Sequence, residues 1–114
     1  MMVLDTTSGR HVAVVPIGNS PDGAEFDPAL GVAVSSNGEG TLSVVREDDP
    51  EHFTLVANVA TQERARTMAL DPASHRVYLV TASFGEKPAA TSAMANPRSP
   101  MVPGSFTVIV MGPR

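Results

Sequence analysis

A four-residue motif appears twice in this sequence, at a spacing that restricts the fold. Phe26-Asp27-Pro28-Ala29 returns as Leu70-Asp71-Pro72-Ala73, 44 residues later, and a valine-rich run follows each copy. A second similarity, between residues 40–45 and 104–109, has an offset of 64 residues. Repeats of about 44 residues with four strands each are typical of β-propeller blades. The difference of 20 between the two offsets predicts an insertion at residues 85–104 of the second unit.

The pattern along the chain predicts an all-β fold with antiparallel neighbours. Apolar residues alternate with polar or small ones, and turn residues interrupt them about every 8–12 positions. Asn37-Gly38 lies between two alternating runs and predicts a tight hairpin. Residues 61–70 have helical propensity, but Asp71-Pro72 closes them as a turn, so we interpret them as a loop that leads into a strand. The predicted strands are residues 10–17, 24–27, 32–35, 41–46, 53–60, 65–71, 76–82 and 105–111.

These strands predict about two four-stranded blades per chain. Residues 1–18 are interpreted as a closing outer strand, residues 19–61 as a blade, and residues 62–114 as a second blade that carries the insertion. Four of the ten prolines lie in residues 85–104, which predicts a loop without a core of its own. Because two blades leave two apolar sheet faces uncovered, we expect copies of the chain to complete a ring, with a trimer favoured over a tetramer.

The blade motifs resemble those of the YVTN-repeat propellers, which are related to the lactonase-type seven-bladed propellers. The resemblance is carried by LDTTSGR at residues 4–10, IGNSPDG at 17–23, ARTMALDP at 65–72 and RVYLVT at 76–81. It covers nearly all of the chain outside the insertion, although the chain supplies about two blades where the family has seven. The resemblance implies a ligand site at a central channel mouth, and members of the parent family are often exported in bacteria. The sequence itself carries no signal peptide and leaves the localisation open.

Composition and motif spacing exclude several classes of function. The chain has no cysteine and no tryptophan, 4% aromatic residues and a formal net charge of −4. Thiolate chemistry is therefore excluded, and neither base stacking nor binding to a phosphate backbone is expected. Since the apolar runs are short, we expect no membrane partner. Gly38-Glu39-Gly40 lacks the third glycine of a dinucleotide loop, so no organic cofactor is expected.

The strand order places a set of polar residues on the face where a propeller has its ligand mouth. Asp22, Glu25 and Glu39 supply the hard oxygen ligands that calcium, magnesium or manganese prefers. Arg64 and Arg66 suit an anionic ligand such as a phosphate or a carboxylate. The alternative interpretation is that the carboxylates are solvated turn residues and that the arginines form salt bridges between blades. The full set is Asn19, Ser20, Asp22, Glu25, Asn37, Glu39, Glu63, Arg64, Arg66 and the insertion.

Two functions of different class follow from this set. The first is a metal-dependent hydrolase of lactone or phosphoester type, with Asp22, Glu25 and Arg66 as catalytic residues and Asp22, Glu25 and Glu39 as ligands of a divalent metal. The alternative is a non-catalytic propeller that binds a small molecule or a protein through the ring face and the insertion. The three histidines, His11, His52 and His75, fall on the opposite face and lack a metal-binding spacing, so zinc is the less favoured metal.

Overall fold

The computed structural model describes residues 1–113, which form three antiparallel β-sheets and contain no α-helix. This result confirms the prediction of an all-β chain with antiparallel neighbours. Within the described residues no helix is long and apolar enough to cross a membrane. The strands are β1 (Met2–Leu4), β2 (His11–Val14), β3 (Pro21–Asp27), β4 (Val32–Asn37), β5 (Thr41–Asp49), β6 (His52–Ala60), β7 (Thr67–Asp71), β8 (Arg76–Thr81) and β9 (Thr107–Met111).

The central sheet is a four-stranded meander in the order β3-β4-β5-β6. Its predicted hairpin joins β4 to β5, where Asn37 pairs with Thr41 across three intervening residues. The reversal requires a left-handed residue, which Gly40 supplies with φ 98°, and the Gly40 N–H donates to the Asn37 carbonyl at 3.0 Å. The two flanking sheets have the orders β1-β2 and β7-β8-β9.

The 44-residue repeat is also a repeat of backbone geometry. Strand β3 ends at Asp27 and β7 ends at Asp71, and each carboxylate accepts the backbone N–H two residues further on. The left-handed residue of the turn is Gly31 in the first unit, with φ 63°, and His75 in the second, with φ 57°. The Asp-Pro-Ala motif therefore builds the same turn at the ends of β3 and β7.

The second offset differs from the sequence prediction by two residues. Val44 of β5 pairs with Val34, and Val110 of β9 pairs with Tyr78, which lies 44 residues after Val34. Val110 is thus the counterpart of Val44, and the offset is 66 rather than 64. Because the difference is even, each side chain keeps its face of the sheet, so the alternation in the sequence fits both registers.

Strands β1 and β2 form a hairpin near the start of the chain, so residues 1–113 contain nine strands where eight were predicted. Asp5 starts the turn by accepting the backbone N–H groups of Thr7 and Ser8, which allows β1 to pair with β2. Strand β2 ends at Val14, before Pro16, which has no N–H to donate to a ladder. The next residues cross the central sheet, where the Gly18 N–H donates to Ser43 Oγ at 3.1 Å.

The main core lies between the four-stranded and the three-stranded sheets. Val34 and Leu42 of the central sheet pack in one cluster with Val77 and Leu79 of β8, and Leu79 has no exposed surface. Met68, Leu70, Ile109 and Met111 pack around this cluster. Strand β3 contacts β7 and strand β2 contacts β6, so consecutive sheets lie side by side.

Candidate ligand-binding cavity

A cavity of about 870 Å³ opens at the end of the sheets where β4 turns into β5 and where β6 leads into β7. The insertion forms its other wall. Strand direction explains this placement, because β3, β5 and β7 all begin at this end of their sheets. The lining residues are Ser20, Gly38, Glu39, Glu63, Arg64, Arg66, Phe84, Lys87, Asn96, Pro97, Arg98 and Ser99.

Backbone hydrogen bonds fix the loop between β6 and β7, which we call the arginine loop because it carries Arg64 and Arg66. The Arg64 N–H donates to the Gly38 carbonyl at 2.9 Å, and the Ser36 hydroxyl donates to the Arg66 carbonyl. Arg64 has φ 62° and Ser20 has φ 57°, and both of these left-handed residues line the cavity. A left-handed backbone at a residue other than glycine is strained, and such residues concentrate at functional sites.

The insertion is anchored at its base and carries cavity residues in its middle. Phe84 and Met101 form an antiparallel bridge, and the Gly85 N–H donates to the Pro100 carbonyl at 2.8 Å. Within the loop, Lys87 Nζ donates to Asn96 Oδ1 at 2.6 Å. The outgoing and returning segments of the loop therefore meet at both points, which brings its basic side chains to one side of the cavity.

An arginine–aromatic pair links the two walls. The Arg64 guanidinium lies 4.2 Å from the centre of the Phe84 ring, a cation–π distance. Its Nη2 lies 3.4 Å from Ser99 Oγ in the insertion. This pair also lines a neighbouring cavity of about 480 Å³, formed with Gln62 and Ala82. Arg64 therefore lines both the larger and the smaller cavity.

The cavity is electropositive in an acidic protein. It contains Arg64, Arg66, Lys87 and Arg98, which are four of the eight lysines and arginines of a chain with a net charge of −4. Among residues 1–113, none of these four cations forms a salt bridge. The cavity carboxylates are Glu39 and Glu63, so its formal charge is +2 (four cations less two carboxylates).

Glu39 is held in place as a hydrogen-bond acceptor. The Thr41 hydroxyl donates to its Oε1 at 2.9 Å, and the Asn19 amide donates to its Oε2 at 2.8 Å. These hydrogen bonds lower the pKa of Glu39. Beneath it, buried Asn37 donates to Thr41 Oγ1 and to Ser43 Oγ, both at 2.9 Å. Hydrogen bonds among Asn37, Thr41 and Ser43 thus support the position of this carboxylate.

The structure separates the carboxylates that the sequence predicts as one metal site. Glu39 lines the cavity, whereas Asp22 and Glu25 lie exposed on β3 and outside the cavity lining. Asp22 lies in the irregularity between Pro21 and Gly23, where it has no partner on β4, whereas Glu25 pairs with Val34. Within the described part of the chain, no group of three or more histidine, aspartate or glutamate side chains could hold a metal ion.

The histidines lie at the opposite end from the cavity, where His75 contacts the turn of another sheet, His52 has a local contact and His11 starts a strand. His75 Nδ1 lies 2.6 Å from Asp27 Oδ2, and His52 Nδ1 lies 2.8 Å from Asp49 Oδ2. His11 begins β2. These contacts do not assemble a histidine metal site.

Sequence reasoning placed the insertion as a whole on this face but did not single out individual residues in or beside it. It did not identify Phe84, Lys87 or Arg98, because no spacing relates them to Arg64 and Arg66. The available signal was compositional, since the insertion holds the only lysine of the chain and one of its seven arginines. Only the fold of the loop brings these residues opposite the arginine loop.

The chain matches no protein-family model, and comparisons with curated proteins and with solved structures give no match. The resemblance to YVTN-repeat propellers therefore stays a prediction.

Proposed function

We propose that this chain is part of a β-propeller that binds a small anionic ligand in the cavity between the arginine loop and the insertion. The observation that carries the proposal is the convergence of four cations without salt-bridge partners among the described residues. This is the non-catalytic alternative of the sequence analysis. It makes the cavity a recognition site rather than a reaction centre.

The electrostatics support an anionic ligand. The four cations are exposed and share one cavity, so they repel one another through solvent. A bound carboxylate or phosphate removes this repulsion and accepts charge-assisted hydrogen bonds, which are shorter and stronger than neutral ones. Arginine suits such groups because its planar guanidinium binds two oxygens at once. The cavity volume of about 870 Å³ also falls within the usual range of small-molecule sites.

The sheet arrangement supports the propeller part of the proposal. The central and three-stranded sheets share a core, their first strands β3 and β7 are in contact, and the chain visits the sheets in order. In a propeller this arrangement places the loops between blades, and the turns between second and third strands, at one end. The cavity lies at that end. Copies of the chain that complete a ring, three being favoured over four, would repeat the site around an axis.

Titration calorimetry with inorganic phosphate and with acetate tests the binding function. Wild-type protein should show saturable binding, and Arg66→Gln should weaken it about tenfold, because a charge-assisted hydrogen bond contributes roughly 1.5–3 kcal/mol. The matched control is Arg46→Gln, which also removes one positive charge but lies in a surface pair with Asp48. Absence of binding to wild type, or equal losses in both variants, would contradict the proposal.

The metal-dependent hydrolase of lactone or phosphoester type is the second candidate. The observation that favours it is the exposure of Asp22 and Glu25 on β3, the first strand of the central sheet. In a ring, first strands line the central channel, where several copies would contribute carboxylates to one divalent metal. This function therefore depends on assembly.

A further inference from the structure

The basic residues of the cavity come in two pairs on two different segments. Arg64 and Arg66 lie on the loop between β6 and β7, while Lys87 and Arg98 lie on the insertion. The first pair is fixed by the backbone bonds to Gly38 and by the Ser36 hydroxyl. In the second pair, Lys87 Nζ donates to Asn96 Oδ1 at 2.6 Å. One wall of the cavity thus presents two cations to the two cations of the other wall.

On the basis of the proposed anion-binding function, we infer that the ligand is a linear dicarboxylate that spans the cavity, with one carboxylate at the arginine loop and the other at the insertion. Each carboxylate then meets a pair of cations. A ligand with a single anionic group would leave one pair without a partner.

The formal charge of the cavity distinguishes between ligands that carry an anionic group at each end. Four cations and the two carboxylates Glu39 and Glu63 give +2, which two ligand carboxylates balance. A bisphosphate carries about −3 to −4 at neutral pH, which exceeds that charge. The dicarboxylate is therefore the class whose charge and geometry both match.

Apolar groups in the cavity lining suit the methylene chain of such a ligand. Phe84 is 39% exposed and presents its ring beside Arg64, and Pro97 lies in the same lining. A cavity of about 870 Å³ is many times the roughly 30 Å³ that one water molecule occupies, so a single oxyanion would leave most of it filled with water. An aliphatic linker displaces that water and buries apolar surface against the ring.

Titration calorimetry with glutarate, butyrate and inorganic phosphate tests this inference. We expect glutarate to bind wild type at least tenfold more tightly than butyrate or phosphate. Arg66→Gln and Arg98→Gln should each reduce glutarate binding to the butyrate level, because each removes a cation from one end. Lys87→Gln provides a second variant at the insertion, and circular dichroism verifies that every variant is folded.

The outcomes separate the ligand class from the anion-binding function. If butyrate binds as tightly as glutarate, or if Arg98→Gln and Lys87→Gln leave glutarate binding unchanged, the dicarboxylate is wrong while anion binding stands. Phosphate that binds more tightly than glutarate also overturns it, in favour of one compact dianion. If none of the three anions binds wild type, the proposed function itself fails.

Discussion

His75 Nδ1 lies 2.6 Å from Asp27 Oδ2, and this contact joins the turn after β7 to the turn after β3. Asp27 is 2% exposed and also accepts the backbone N–H groups of Ala29 and Leu30. His75 occupies the left-handed turn position that Gly31 has in the first repeat. The pair therefore connects two copies of one turn across the boundary between two sheets.

The acid stability of the fold should depend on this pair. Burial raises the pKa of Asp27, but the hydrogen bonds from His75, Leu30 and Ala29 outweigh burial and leave the pKa below its usual value. A lowered pKa stabilises the folded state above the unfolded-state pKa of about 3.9, and the contribution is lost as the pH falls through the folded value. Urea unfolding from pH 7 to pH 3 should show this loss in wild type and a flatter profile in Asp27→Asn.

A double-mutant cycle isolates the contact from the turn. Asp71 is the repeat counterpart of Asp27, but it bonds only within its own turn, to Ser74 and Ala73. We expect Asp27→Asn and His75→Gln to be non-additive in unfolding free energy, and Asp71→Asn and His75→Gln to be more nearly additive. Additive effects for the first pair would show that the contact between sheets contributes no stability.

The core between the two larger sheets should be sensitive to a cavity at Leu79. This side chain is fully buried in the cluster that contains Val34 and Leu42. Leu79→Ala should lower the free energy of unfolding by about 2–5 kcal/mol, measured by urea denaturation. The control is Val56→Ala, since Val56 is 44% exposed on β6 and its loss should cost less than about 1 kcal/mol. Similar losses in both variants would contradict this account of the core.

The strands could be predicted because their signals are local. The predicted strands correspond to β2–β9, and the Asp-Pro-Ala turn fixes the ends of β3 and β7. Strand β1 was missed because three residues, Met2–Leu4, are too short to show alternation, and its pairing depends on the turn that Asp5 caps. The offset of 66 was missed because a shift of two residues preserves every face.

The site was only partly predictable because half of it comes from a loop without periodicity. Strand direction alone places Glu39, Arg64 and Arg66 at one end of the sheets. Nothing in the sequence orients the insertion, whose position depends on the Phe84–Met101 bridge and on Lys87 meeting Asn96. Of the three carboxylates predicted from shared strand ends, Glu39 lines the cavity and Asp22 and Glu25 do not.

Replacing residues 85–104 by a short turn should keep the fold and remove half of the cation cluster. The loop contacts the sheets mainly at its base, and Pro97 is its only buried residue among those described. The melting temperature should change by a few degrees, whereas anion affinity should fall at least tenfold because Lys87 and Arg98 are lost. Differential scanning fluorimetry and calorimetry measure the two effects. A variant that unfolds would show instead that the loop supports the sheets.

If the assembled protein is a metal-dependent hydrolase, its activity should depend on the carboxylates of β3. Asp22→Asn and Glu25→Gln remove a charge at nearly constant volume from exposed positions, so folding should persist while chelator-sensitive ester hydrolysis falls. The parallel variant His52→Ala lies at the other end of the sheet and should retain activity. Loss of activity in His52→Ala alone would move the site to that end. If neither chelators nor any of the three substitutions reduce the rate of hydrolysis, this function is excluded.

The protein should assemble through its two uncovered sheet faces. Val108 and Val110 are 51% and 52% exposed on the outer face of the three-stranded sheet, and Met2 and Val14 are exposed on the outer face of β1 and β2. Faces of this kind normally pack against another sheet, because their burial removes apolar surface from water. Light scattering should therefore give about three or four times the 11.9 kDa chain mass.

Strand exchange gives the sharpest version of this prediction. In the three-stranded sheet β9 pairs only with β8, so one edge of β9 is free to accept a fourth strand. Such a strand would occupy the position that β6 has in the central sheet. If β2 of another copy fills that place, it can pair through the edge that β1 leaves free. Deleting residues 1–4 should then preserve the oligomer, whereas deleting residues 1–17 should abolish it and cause aggregation. Val108→Lys with Val110→Lys should also break the assembly by charging the face. A folded wild-type monomer at 11.9 kDa would contradict the prediction, because two exposed apolar faces would then be stable in water.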